Sequence, residues 1–109
     1  MNAKKEKLVL GNDLLRKTLR PKGNERIFLT AGVNDHPLRD QILEAIKGHD
    51  TFSSDNDPYG EHDFGAVTVN EEKFFFKIDY YDSNLEFGAD PLEDEDFVRV
   101  LTIMRAEDY

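Results

Sequence analysis

Apolar positions recur at helical spacing early in the chain and at alternating spacing late in it. Between Ala3 and Arg20, the residues Leu8, Leu15 and Leu19 share one helical stripe, and Leu14 widens it. Gly11 lies on that stripe, where it either weakens the helix or lets another element come close. Pro21-Lys22-Gly23-Asn24 ends the helix. Arg26–Thr30 reads as a short strand and Ala31–His36 as a loop. Pro37 suits the first turn of a second helix that runs to about Lys47 and stops at Gly48. Its buried stripe is Leu38, Ile42, Ala45 and Ile46.

Residues 49–65 form a polar, turn-rich loop. Two strands follow, Ala66–Asn70 and Lys73–Asp82, joined tightly at Glu71-Glu72 as a hairpin. In the second strand Phe74, Phe76, Ile78 and Tyr80 share one face, and Lys73, Phe75, Lys77, Asp79 and Tyr81 share the other. Phe75 either packs under an opposite layer or lines a shallow aromatic surface. Ser83–Asp96 is a long acidic connection. Val98–Arg105 is apolar on both faces, which predicts a central strand. The order α-β-α-β-β-β predicts an α+β domain spanning 1–109. Two helices pack on one face of a mainly antiparallel sheet of about four strands.

Composition narrows the function classes. The chain has 109 residues and no Cys, which excludes a disulfide scaffold. No apolar run approaches the roughly 18–20 residues of a membrane span. The N-terminus lacks the apolar stretch of a secretory signal, so the expected location is cytoplasmic. With 14 Lys+Arg against 23 Asp+Glu the net charge is −9, which argues against direct nucleic-acid binding. The charge is uneven: residues 1–54 carry +3 and residues 55–109 carry −12. Such asymmetry marks an interaction face or a solvated, solubilising surface.

The densest polar stretch is Asp55-Asn56-Asp57-Pro58-Tyr59-Gly60-Glu61-His62-Asp63-Phe64-Gly65. The second is Asp79-Tyr80-Tyr81-Asp82. With Lys77-Ile78 before the latter, then Asp90-Pro91 and Arg99-Val100-Leu101-Thr102-Ile103-Met104, these strings resemble the bacterial domain of unknown function family 3768. The resemblance runs from Asn12-Asp13 and Thr30-Ala31-Gly32-Val33 to Glu107-Asp108-Tyr109; Met1–Gly11 and Glu93–Asp96 are less typical of it. It implies a small bacterial protein, often of proteobacteria and their mobile elements, and it implies no activity.

The chemistry of the first stretch has several readings. A calcium loop starting at Asp55 would have Asp57 and Gly60 in place, but Tyr59 at its fifth position and Ala66 at its twelfth leave it without the bidentate ligand. A transition-metal site could draw on His62 with Glu61, Asp63, Asp57 and Asp79. An iron triad would need His36 or His49 as well. No metal or other cofactor is therefore assigned. As a general base His62 could be oriented by Glu61, Asp63 or Asp79, so the candidate catalytic group is His62, Asp63 and Asp79. Ser53-Ser54 lies nearby, but no nucleophile elbow or phosphate-binding loop is present. A structural role is equally open. Asp57-Pro58-Tyr59-Gly60 is a turn with its own chemistry, and His62 and Asp63 can satisfy backbone groups of a buried loop.

Two functional readings follow. In the first, a non-enzymatic regulatory or inhibitor protein offers acidic side chains to a basic protein partner. Its contact candidates are Asp90, Glu93, Asp94, Glu95 and Asp96, with Asp79 and Asp82. In the second, a small enzyme or ligand-binding domain uses Asp57, Tyr59, Glu61, His62, Asp63, Lys77, Asp79, Tyr81 and Asp82. The first is favoured because no catalytic constellation is complete. Both a monomer and a homodimer are compatible with the sequence, since an edge strand could pair two copies.

Overall fold

Period-two alternation in the second half of the chain builds the sheet, and the sheet places everything else. The computed structural model describes residues 3–55, 57–94 and 96–109. Its strands are β1 (Glu25–Leu29), β2 (Phe64–Val69), β3 (Glu72–Tyr81) and β4 (Val98–Arg105). Its helices are α1 (Ala3–Thr18), α2 (Ala31–Asn34) and α3 (Arg39–Gly48), with a closing 3-10 turn at Ala106–Asp108. The strand order is β1-β4-β3-β2. The β2–β3 and β3–β4 pairs are antiparallel and β1–β4 is parallel. The domain is α+β, with a mostly antiparallel sheet.

Register sorts the side chains. Phe76 stands opposite Ile103 and Ile78 opposite Leu101, all on one face. Leu15 of α1, Val33 of α2 and Ile42 and Ile46 of α3 close over that face to complete the core. The strand β4 is central, as its two apolar faces predict. Leu101 and Ile103 are buried on the helix side, and Val98, Val100 and Met104 are buried on the other. On that second face Phe75 packs against Phe64 at 5.1 Å and against Tyr109 at 5.5 Å between ring centroids.

Several boundaries differ from the sequence reading for local reasons. Leu19 takes φ 51° and its N–H closes back on the Leu15 carbonyl, so α1 ends at Thr18 rather than Arg20. Leu14 is 55% exposed and does not widen the core stripe. The segment Ala31–Asn34, expected as loop, is a single helical turn that buries Val33. Pro37 precedes α3 rather than opening it. The His36 Nδ1 accepts the Leu38 N–H at 3.0 Å, and its Nε2 lies 2.9 Å from Glu72. That arrangement fixes the start of α3 and ties it to the hairpin. Among the described residues no helix is long and apolar enough to cross a membrane.

The β2–β3 hairpin turns through Asn70 and Glu71, at φ 51° and 69°. Two successive positive values are the signature of a type I′ turn, which favours Asn-Gly. Asn suits its place and Glu71 does not. Glu71→Gly is expected to raise stability by about 1 kcal/mol. In thermal unfolding this appears as a Tm increase of about 4–8 °C.

Candidate functional site

Helix α1 turns a polar edge inward. Asn12 is fully buried and sits at the centre of a hydrogen-bond junction. Its Nδ2 donates to the Glu61 carbonyl at 2.9 Å and to the Tyr80 hydroxyl at 2.8 Å. Its Oδ1 accepts from Arg99 Nε at 2.6 Å. Arg99 in turn reaches Glu25 at 3.1 Å. Gly11 makes room for this: a Cβ there would lie 2.5 Å from Arg99 Nη2. The two alternatives for Gly11 are thereby decided in favour of close approach. Burial pushes the Tyr80 hydroxyl above its ordinary range, so the phenol stays neutral.

Arg16, one turn beyond Asn12, is 1% exposed. Its Nη1 donates to the carbonyls of Ile46, Lys47 and His49, the last turn of α3 and the residue after it. Its Nη2 donates to Asp13 at 3.1 Å. Phe52 and Phe76 each lie 5.5 Å from the guanidinium carbon. The positive charge thus sits where the α3 dipole is negative and where the helix leaves carbonyls unpaired.

The polar loop closes on this edge. The buried Asp57 carboxylate accepts the backbone N–H groups of Glu61 and His62 at 3.1–3.2 Å. Gly60 donates to the Asp57 carbonyl, which completes the turn expected at Asp57–Gly60. His62 takes φ 58°. Its Nδ1 is 3.0 Å from one Asp13 oxygen and 3.1 Å from the other. Its Nε2 is 3.8 Å from Asp57. The ring stacks on Phe52 with centroids 4.0 Å apart and planes 4° from parallel. Beside it lies an open depression of about 430 Å³ bordered by Ser53, Ser54 and Tyr59.

The residues predicted to bind fall into three places. Asp57, Glu61, His62 and Asp63 gather on the loop, and Tyr59 projects from it at 74% exposure. Burial and the neighbouring carboxylates raise Glu61 and Asp63 above the usual carboxylate range. Lys77, Asp79 and Tyr81 lie on the sheet face away from the helices, where Lys77 and Asp79 pair at 3.1 Å. Asp82 begins the following loop. Of the candidate catalytic group, Asp63 stands within electrostatic reach of both His62 and Asp79, but the His62 ring nitrogens face Asp13 and Asp57, and Asp79 pairs with Lys77. His36 and His49 do not join His62 either. His36 pairs with Glu72, and Phe52 contacts both His49 and His62. Among the described residues no three His, Asp or Glu side chains are grouped to hold a metal ion.

The late acidic residues are divided in their use. Asp90 and Asp94 accept backbone N–H groups of Leu92 and Asp90 respectively, whereas Glu93 and Asp96 are exposed. Glu95 lies outside the described residues. Sequence reading missed Arg16 and the roles of Asn12 and Asp13. The available signal was their spacing, since positions 12, 13 and 16 fall together on one side of a helix.

The family described as "Protein of unknown function (DUF3768)" matches residues 29–108. The match begins at Leu29, the last residue of β1, and leaves out α1, which holds Asn12, Asp13 and Arg16. No curated protein and no solved structure matches the chain.

Two outcomes test this account of the site. Removing a buried, paired charge strands its partners, so Arg16→Ala is expected to cost about 3–5 kcal/mol, read from the urea midpoint. His49 is held below its ordinary range by burial and by the Arg16 charge. The unfolded chain takes up a proton near pH 6.5 that the folded chain resists, so this contribution is full above that pH and is lost as pH falls toward the folded value. His49→Leu is expected to lose less stability between about pH 7 and pH 5 than the unaltered chain.

Proposed function

The chain belongs to the family described as protein of unknown function (DUF3768), and from that premise we propose a non-enzymatic interaction protein that offers an acidic surface to a basic protein partner. The observation that carries this is the loop after β3. Leu85 and Phe87 stand 44% and 69% exposed there, on a backbone that is held in place. Asp82 Oδ1 accepts the N–H groups of Asn84 and Glu86 at 3.2 and 3.0 Å. The Asp82 N–H donates to the Phe87 carbonyl, and Ala89 donates to Tyr80. A rigid loop loses little entropy on docking. A protruding Phe supplies an apolar anchor, and Glu86 beside it, with Glu93 and Asp96 in the acidic segment that follows, steers a cationic surface toward it. A regulator or inhibitor needs no more than this.

The geometry around His62 supports a holding role. Its ring nitrogens face Asp13 and Asp57, its face is covered by Phe52, and its backbone is fixed by Asp57. A ligand site in the depression beside it is the second reading, and it predicts a different sensitivity to substitution.

Capture from a lysate of the source organism separates the two. The immobilised chain is expected to retain a basic protein that moderate salt releases. Phe87→Ser is expected to weaken retention by about ten-fold or more, and His62→Ala to leave it unchanged. Among the described residues, Glu86, Glu93 and Asp96 make no hydrogen bond with their carboxylates, so their amide variants probe charge without removing a described loop contact. Undiminished capture by the triple amide variant overturns the acidic-surface reading. Loss of ligand or partner with His62→Ala alone moves the function to the depression.

A further inference from the structure

The acid-rich chain keeps a line of cations unused. Lys4, Lys7, Lys17, Arg20 and Lys22 are exposed, and none of their side chains forms an ion pair with a described residue. All five border two adjoining cavities of about 420 and 580 Å³, which share Leu14, Lys22 and Glu25. The floor is apolar, from Leu8, Leu14, Leu15, Leu92 and Phe97. Pro91, Leu92, Glu93 and Asp94 close the second cavity on the side of the acidic loop. The result is a groove with a greasy bed and a cationic border. Its complement is an acidic segment carrying large apolar side chains.

Such a segment exists in the same molecule. Leu85-Glu86-Phe87 presents two exposed apolar side chains about one carboxylate, with Asp90 close behind. We infer that the groove between α1 and Pro91–Asp94 with Phe97 receives the Leu85–Phe87 loop of a second copy of this chain. This rests on the reading of that loop as an interaction surface, and it places the complementary cationic surface on a second copy of the chain. Groove and loop adjoin through residues 88–94, so a two-fold axis can place each loop in the other copy's groove and close the assembly as a dimer. The net charge of −9 repels two copies at long range. At physiological salt the Debye length is about 8 Å, so the local match of cations to carboxylates decides the contact.

Sedimentation velocity on the full chain, from about 1 µM to about 500 µM, tests this. The expected result is a concentration-dependent dimer. Lys17→Glu with Lys22→Glu alters only the groove, and Phe87→Ser alters only the loop. Each variant is expected to raise the dimer Kd by about ten-fold or more, with thermal unfolding cooperative and lowered by no more than a few degrees, since the altered side chains are exposed and only Lys17 meets a helix end. Mixing the two variants joins an intact loop to an intact groove and is expected to give more association than either variant alone. A wild-type chain that stays monomeric throughout overturns the inference, as does a dimer that neither variant weakens. Failure here is distinguishable from failure of the acidic-surface reading. A monomeric chain that still captures a basic lysate protein through Phe87 loses only the dimer, whereas a chain that dimerises and captures nothing else confirms the self-partner.

Discussion

Arg16 brings a full positive charge to a position 1% exposed to solvent. Such burial is unfavourable by several kcal/mol unless the charge is matched on every side. Here most of the match comes from three carbonyls at the end of α3, from Asp13 on its own helix, and from the faces of Phe52 and Phe76, while its buried Nε has no hydrogen-bond partner among the described residues. One side chain therefore fixes the end of α3 against α1 and orders the first residues of the loop that follows. Asp13 extends the constraint to His62, and His62 extends it to Asp57. Loop residues without a ladder of their own thus obtain partners from a helix some fifty positions earlier in the chain. Gly65 shows how closely these parts approach, since a Cβ there would meet the rings of Phe76 and His49 at 2.5 and 2.8 Å.

Strands were legible because burial on a sheet repeats every second residue. Phe74, Phe76 and Ile78 declared one face, and the double-faced apolar run Val98–Arg105 declared a central strand. The partner of β1 was not legible. Nothing in Arg26–Leu29 distinguishes parallel pairing with β4 from a place elsewhere in the sheet, because register depends on contacts some seventy residues distant. The helical turn at Ala31–Asn34 was hidden by Gly32 and Asn34, residues that ordinarily favour loops. Val33 overrides them by filling the core.

The site was half legible for a related reason. The Asp57-Pro58-Tyr59-Gly60 turn carries local chemistry, so its conformation and its internal bonds could be read from four adjacent residues. His62 stood out in the sequence, but the carboxylate at its Nδ1 did not. Asp63 is next to it in sequence, yet the carboxylate at its Nδ1 belongs to Asp13. On a helix of charged residues, Asn12, Asp13 and Arg16 read as solvated positions until the fold supplies α3 and the loop to receive them.

The same division bears on the charge distribution and gives the proposed function its physical basis. Charged groups that complete the fold are short carboxylates and planar guanidiniums. Asp57, Asp82, Asp90 and Asp94 satisfy backbone N–H groups, and Arg16 and Arg99 satisfy several acceptors at once. An arginine fork can discharge its hydrogen bonds in a fixed plane, which a lysine ammonium on a flexible stem does less well. Among the exposed charges without an ion pair to a described residue, Lys4, Lys7, Lys17, Arg20 and Lys22 border the groove, Glu86 lies on the loop after β3, and Glu93 and Asp96 lie in the segment that follows. No ion pair among the described residues uses these side chains, so they remain available to a partner. With Leu14 exposed in the groove and Phe87 on the loop, each surface pairs charge with apolar area. Charge alone in water holds partners weakly, and apolar area alone holds them without orientation. The combination on both surfaces is what a specific contact requires.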